Sequence, residues 1–165
     1  MKKQNSKLAS YMCHFPEEGV DLDRFVERGA LLLGPEDLHA LPAGIAALRE
    51  KICLLRANHP KLVQQLEFLE KFIDSNPSHL PDNVCNETAF ALLYAMSDMD
   101  LIPDNIPDDG YSDDAAVIEI VLSRNEEIFK SYCRLQGIDW ADLRPGLLKR
   151  QQTSIPDLKL ERPWN

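Results

Sequence analysis

The residues with the most chemical potential lie between Ser97 and Asp114, where seven of eighteen positions are aspartate and none is lysine or arginine. Clustered carboxylates repel one another, so each must stay solvated, take up a proton or share a cation. Oxygen-only ligands on a stiff segment suit Mg²⁺, Ca²⁺ or Mn²⁺ better than zinc. Asp100, Asp104, Asp113 and Asp114 form the candidate ligand set, with Asp108 and Asp109 as extras. The spacing is not that of an EF-hand, because the D-x-D-x-D-G series and its closing glutamate are missing. Gly110 stands alone, so no phosphate-cradling glycine loop is present.

A structural role competes with the metal role and is the favoured reading. Leu80-Pro81-Asp82 and Ile155-Pro156-Asp157 repeat the Leu/Ile-Pro-Asp pattern outside this segment. Pro-Asp is ordinary turn and helix-start chemistry. Asp113 and Asp114 fall in the first turn of the following helix, where the macrodipole favours negative charge. Asp100 and Asp104 can bond backbone amides and hold a turn. Pro103 and Pro107 fix φ and extend the residues before them. Leu101, Ile102 and Ile106 can anchor the segment on a core, and Gly110 permits a sharp reversal. These features predict an ordered loop.

The stretch from Leu92 to Leu122, LLYAMSDMDLIPDNIPDDGYSDDAAVIEIVL, resembles the core of the YkvA-like family of bacterial domains of unknown function. That family's pattern is a helix ending in YALSPIDLIPD, then FIPVLGYLDD, then an apolar helix. Tyr94, Ala95, Ser97, Asp100, Leu101, Ile102, Pro103, Asp104, Ile106, Pro107, Gly110, Tyr111, Asp113 and Asp114 match in order and spacing. Asp98 replaces the usual proline, and Asn105, Asp108, Asp109 and Ser112 stand where apolar residues are common. Many members look membrane-associated, and these polar replacements argue against that here. The resemblance implies a helix–loop–helix core and supplies no activity.

Charge is partitioned along the chain. Residues 1–71 carry ten basic and ten acidic residues, residues 72–123 no base and eleven acids, and residues 124–165 eight bases and six acids. The middle segment therefore accounts for the net charge of −9. Such a surface repels nucleic acid and anionic lipid and attracts cations or a basic protein. No apolar run approaches the ~20 residues of a membrane span. Lys2, Lys3 and Lys7 have no apolar stretch behind them, so no secretory signal is expected, and the expected location is the cytoplasm. Cys13, Cys53, Cys85 and Cys133 form no C-x-x-C pair, which removes zinc-ribbon and thioredoxin-like readings.

Around the acidic loop, the periodicity predicts helices. Residues 1–20 lack a clear period and are expected to be irregular. Leu22, Phe25, Val26 and Leu33 mark a helix that Asp21 can cap and Gly34-Pro35 stops. Leu41-Pro42 reads as a break, followed by a helix with Ile45, Leu48, Ile52 and Leu55 that ends at Asn58-His59-Pro60. Leu62, Leu66, Leu69 and Ile73 mark the next, with Glu67 and Lys71 as an i,i+4 pair. A turn-rich linker runs from Ser75 to Asp82, and a helix from about Asn83 to Ser97. From Ser112 a helix apolar on nearly every side over Ala115–Leu122 continues past Ile128 and Tyr132 to Gly137. Asp139 can cap a last helix, ended or bent by Pro145-Gly146. No run alternates as a strand does. The expected fold is all-α: a single-domain bundle of about six helices with a central helix–acidic loop–helix hairpin. The helical domain spans 21–151, its core about 83–123, with an extended tail over 152–165.

Other candidates are weaker. Cys13-His14 lacks an orienting acid. His39, His59 and His79 sit near helix ends or linkers and read as caps. Glu119 is the one charge in an apolar helix stretch, and the commonest role for such a residue is facing solvent. Trp140 and Trp164 read as packing residues. The sequence therefore favours a non-enzymatic binding or regulatory module that offers an acidic face to a basic protein. A divalent-cation-dependent hydrolase using the loop aspartates, and an acidic immunity- or antitoxin-type inhibitor, are the alternatives.

Overall fold

The computed structural model describes residues 6–13, 22–75, 80–96 and 112–143. Among them are seven α-helices, one 3-10 turn and no strand, so the fold is the expected all-α bundle. The helices are α1 (Ser6–Cys13), α2 (Leu22–Leu31), α3 (Pro35–Leu55), α4 (Pro60–Asp74), α5 (Asp82–Met96), α6 (Ser112–Arg124) and α7 (Glu126–Gln136), followed by the 3-10 turn Trp140–Asp142. No described helix is long and apolar enough to cross a membrane.

Helix α5 is the axis of the bundle, packing against α2, α3, α4 and α6. Val84, Ala89, Phe90, Ala91, Leu92, Tyr94 and Ala95 are all buried, so the helix has no wet face along most of its length. Helix α6 is almost as deeply set, with Val117, Ile118, Ile120, Val121 and Leu122 buried. Two aromatic groups flank this pair. Tyr11, Phe25, Phe90 and Tyr94 join α1, α2 and α5, and Phe25 meets Phe90 edge-on at 5.5 Å. Phe68, Phe72, Phe129 and Tyr132 join α4 to α7, with Phe72 and Phe129 edge-on at 4.8 Å. Trp140 stacks on Phe129, the packing role expected of it.

Helix boundaries follow the punctuation in the sequence, with three exceptions, and one expected ion pair is replaced. Pro35 opens α3 and Asp37 reaches back to accept a bond from Gly34 N at 2.8 Å, completing half a capping box. Pro60 opens α4, and Gly137 ends α7 at φ 68°. Asp139 accepts from Ala141 N at 2.9 Å and is a cap as expected, but what it caps is the 3-10 turn Trp140–Asp142 and not a further helix.

The first exception is the segment expected to be irregular, which contains α1. Its eight residues are too few to stand alone in water. Leu8 and Met12 are buried, and Tyr11 stacks on Phe25 while its hydroxyl donates to Phe25 O at 2.8 Å. Tertiary contact, not periodicity, makes this helix.

The second is Leu41-Pro42, read as a break, which lies inside α3. An interior proline costs about 3 kcal/mol, because it removes one bond and crowds the carbonyl four residues back. That carbonyl belongs to Leu38, which is partly solvent-exposed, while Leu41 and Leu48 on either side are buried and hold the helix in register.

Third, the long helix expected from Ser112 to Gly137 divides at Asn125. The buried Asn125 side chain donates to Val121 O at 3.0 Å and to Glu87 Oε2 at 2.8 Å, so it competes with the backbone ladder where α6 ends. Lastly, Glu67 meets Arg56 across α3 and α4 at 2.8 Å, instead of the expected Lys71.

Helices α2 and α5 approach closely at Gly29. A Cβ built there would lie 2.2 Å from Phe90 Cε2, inside the ring's own volume. Gly29→Ala therefore should destabilise the protein by at least about 1–3 kcal/mol in chemical denaturation, the usual range for overpacking. Adding Phe90→Leu should recover part of that loss; a neutral Gly29→Ala would show that the helices do not touch here.

Candidate functional site

The candidate site is the α5–α6 hairpin. Its acidic connection, including Asp100, Asp104, Asp108 and Asp109, lies outside the described residues, as does the side chain of Asp113. Its two stems are well defined, and so are the groups that hold them.

At the end where α5 leads into the acidic segment, Lys51 reaches in from α3. Its Nζ donates to Ala95 O in the last turn of α5 at 2.6 Å and to Asp114 Oδ2 in the first turn of α6 at 2.8 Å. The Asp114 side chain is 1% exposed and that of Lys51 15%. Chain order explains the convergence. Gly44, Leu48 and Lys51 recur at helical spacing on α3, and Gly44 lets that face come close to the Met96 sulfur at the end of α5. Ala95 O is one of the last-turn carbonyls with no partner inside its own helix. An ammonium there also complements the negative end of the helix macrodipole. One lysine thus satisfies a helix C-terminus and neutralises a buried carboxylate.

The opposite end of the hairpin carries a second polar tie. Glu87 is buried in α5 and receives Arg124 Nε at 3.1 Å and Nη2 at 3.0 Å, together with Asn125 Nδ2. Arg124 also reaches Asp23 on α2 at 3.5 Å. Hydrogen bonding to Glu87, with further contributions from Asp23, raises the Arg124 pKa above its already high ordinary value, although partial burial opposes the rise. Roughly 12 Å of helix separates Glu87 from Ala95. Helices α5 and α6 therefore run antiparallel between two charged fastenings, with apolar packing between.

Of the sequence-predicted metal set, the described structure places only the Asp114 carboxylate, and it places it against an ammonium. Among the described residues no group of three His, Cys, Asp or Glu side chains converges as a metal site would require. Cys13 has its side chain outside the described residues, as have all of His14, His79 and Trp164. His39 is exposed, and His59 is half-buried at the start of α4. Glu119 is half-buried, not fully solvent-facing. Cys53, Cys85 and Cys133 are free thiols; burial raises the pKa of Cys133 first, and nearby Asp139 adds to it.

Residues 87–120 match the model of a protein family of unknown function, DUF1232. No curated protein and no solved structure matches the chain. The DUF1232 match agrees with the resemblance to YkvA-like domains and covers the hairpin: it opens at Glu87 and contains Ala95 and Asp114. The residues that fasten the hairpin from outside, Lys51 and Arg124, fall beyond it. Sequence reasoning missed both. Lys51 is an ordinary lysine in an ordinary helix, and its partner is 63 positions away.

Among the described residues, a groove of about 500 Å³ lies between α3 and α4 with Ile52 and Cys53 along its α3 side. Two ion pairs cross it. Arg49 Nε and Nη2 meet Glu70 Oε1 at 2.9 and 2.7 Å, and Arg56 meets Glu67. Exposed pairs of this kind contribute little to stability, about 0–1 kcal/mol each.

The two fastenings differ from those surface pairs in burial. Arg124→Met leaves Glu87 buried with Asn125 as its remaining donor and should cost about 3 kcal/mol in urea denaturation. Asp23→Ala removes only the exposed partner and should stay within about 0.5 kcal/mol of the parent. Equal effects from the two would place the energy elsewhere than at Glu87.

Proposed function

We propose that this protein is a non-enzymatic helical module that presents its acidic segment to a basic protein partner. The observation that carries the reading is the mount. Lys51 binds the last turn of α5 and the first turn of α6, the two helix ends that the acidic segment connects, so the charge is held between fixed ends. Fixed ends lower the ordering cost of binding. The charge partition supports the same reading, with eleven acids and no base over residues 72–123. Complementary charge of this density speeds encounter and selects basic partners.

The same aspartates motivate the rival reading of a divalent-cation-dependent hydrolase. There the Lys51–Asp114 pair counts against a four-aspartate site, since a cation at Asp114 would sit beside the ammonium already bound to Oδ2 and be repelled by it. An immunity- or antitoxin-type inhibitor would be a special case of partner binding, marked by a basic toxin as the partner.

Fluorescence anisotropy with an oligolysine peptide tests the proposal. Binding should weaken at least about tenfold as salt rises and the Debye length shortens. Changing Asp98, Asp100, Asp104, Asp108 and Asp109 together to asparagine should abolish it. Salt-insensitive binding, or equal binding by the variant, would overturn the reading. Saturating Mg²⁺, Ca²⁺ or Mn²⁺ should leave the melting temperature unchanged; a metal site filled at about 100 times its Kd would add about 2.7 kcal/mol.

A further inference from the structure

We propose that helix α1 is a displaceable cover, and that its seat on α2 and α5 is a groove for a basic amphipathic helix of a partner protein, filled in the structure by the chain's own helix of that kind. The groove is built from α1, α2 and α5 and needs nothing from the acidic segment.

The seat is held together without α1. Phe25 on α2 meets Phe90 and Tyr94 on α5 edge-on, at 5.5 and 5.8 Å. Gly29 lets the two helices close on the Phe90 ring. Arg124 on α6 ties Asp23 of α2 to Glu87 of α5, at 3.5 and 3.0 Å. On this base α1 lays an aromatic contact: Tyr11 stacks on Phe25 at 5.1 Å, meets Phe90 edge-on at 6.5 Å, and donates its hydroxyl to Phe25 O.

Helix α1 brings little stability of its own. Its eight residues are too few for a helix in water. Its first turn holds Lys7 and no acid, and its last turn no base, so the macrodipole gives it no support. Leu8, Tyr11 and Met12, at i, i+3 and i+4, face the bundle, while Lys7 and Ser10 are exposed. Short helices dock in apolar grooves by this pattern of anchors. A cover held by one face opens at a lower free energy than the core beneath it. Charge defines which helix fits. Residues 1–14 contain Lys2, Lys3 and Lys7 and no acid, whereas all 27 acidic residues lie in the rest of the chain. A helix with lysines on its outer side is drawn to such a bundle, and an acidic one is repelled.

Fluorescence anisotropy with a labelled peptide of residues 1–14, carrying Cys13→Ser, tests this against two full chains. One is the parent; the other carries Leu8→Ser and Met12→Ser, so that its own α1 no longer seats. The peptide should bind the double variant at least about tenfold more tightly than the parent, where a closed cover reduces affinity by the open fraction. Tyr11→Ser in the peptide should weaken binding at least about fivefold, and added salt should weaken it further. In the parent, α1 amides should exchange with solvent at least about a hundredfold faster than those of α5. No binding by a folded double variant overturns the proposal, as does equal affinity for the parent, which would place the peptide outside the seat. Exchange of α1 as slow as that of α5, or a double variant that circular dichroism shows to be unfolded, would make α1 part of the core and overturn it too. A concentration-dependent dimer of the parent that the double variant fails to form would make a second copy the occupant, against the assignment to a partner protein.

Discussion

The ammonium of Lys51 lies between a helix C-terminus and a buried carboxylate, and the hairpin's geometry depends on that placement. Asp114 is almost completely shielded from water, and an isolated carboxylate there would be costly. Ala95 O belongs to a turn that has no further amide of its own helix to bind. Lysine answers both needs from a third helix. Arginine or an apolar residue at position 51 would change the fit: one is larger and planar, the other leaves the charge uncompensated. The interaction is less a source of net stability than a specification of which arrangement of α3, α5 and α6 is allowed.

The rest of the bundle is consistent with that constraint. Helix α5 is buried on nearly all sides, so its position is set by packing with four neighbours. At Gly29 and Gly44, α2 and α3 come close to side chains of α5. The second fastening, from Glu87 to Arg124 and Asn125, ends α6 and turns the chain into α7. A charged tie at each end and apolar packing between them give an antiparallel pair that cannot slide easily. Such a pair is a suitable base for a segment whose own residues repel one another.

Much of this was legible in the sequence because it is local. Helical periodicity located α2 to α6, Gly34-Pro35 and Pro60 located their joints, and Gly137 located the end of α7. The order of the hairpin residues located the family segment. What escaped was non-local. Helix α1 exists because Tyr11, Leu8 and Met12 find partners in the folded bundle, and Pro42 stays helical because its flanking leucines are buried. Asn125 breaks a helix because Glu87, on a different helix, draws its side chain inward. The candidate site divides in the same way. Its aspartates could be read as a set, but the assignment of Asp114 to Lys51 required the fold, because nothing in the spacing of α3 distinguishes that lysine from its neighbours.

The central claim is that Lys51 and Asp114 act as one unit in holding the hairpin. A double-mutant cycle in urea denaturation tests this directly, using Lys51→Met, Asp114→Leu and the pair together. The account predicts that each single change is costly and that the double variant is more stable than their sum by at least about 2 kcal/mol, as for groups in direct contact. Additive losses, within about 0.5 kcal/mol, would contradict it.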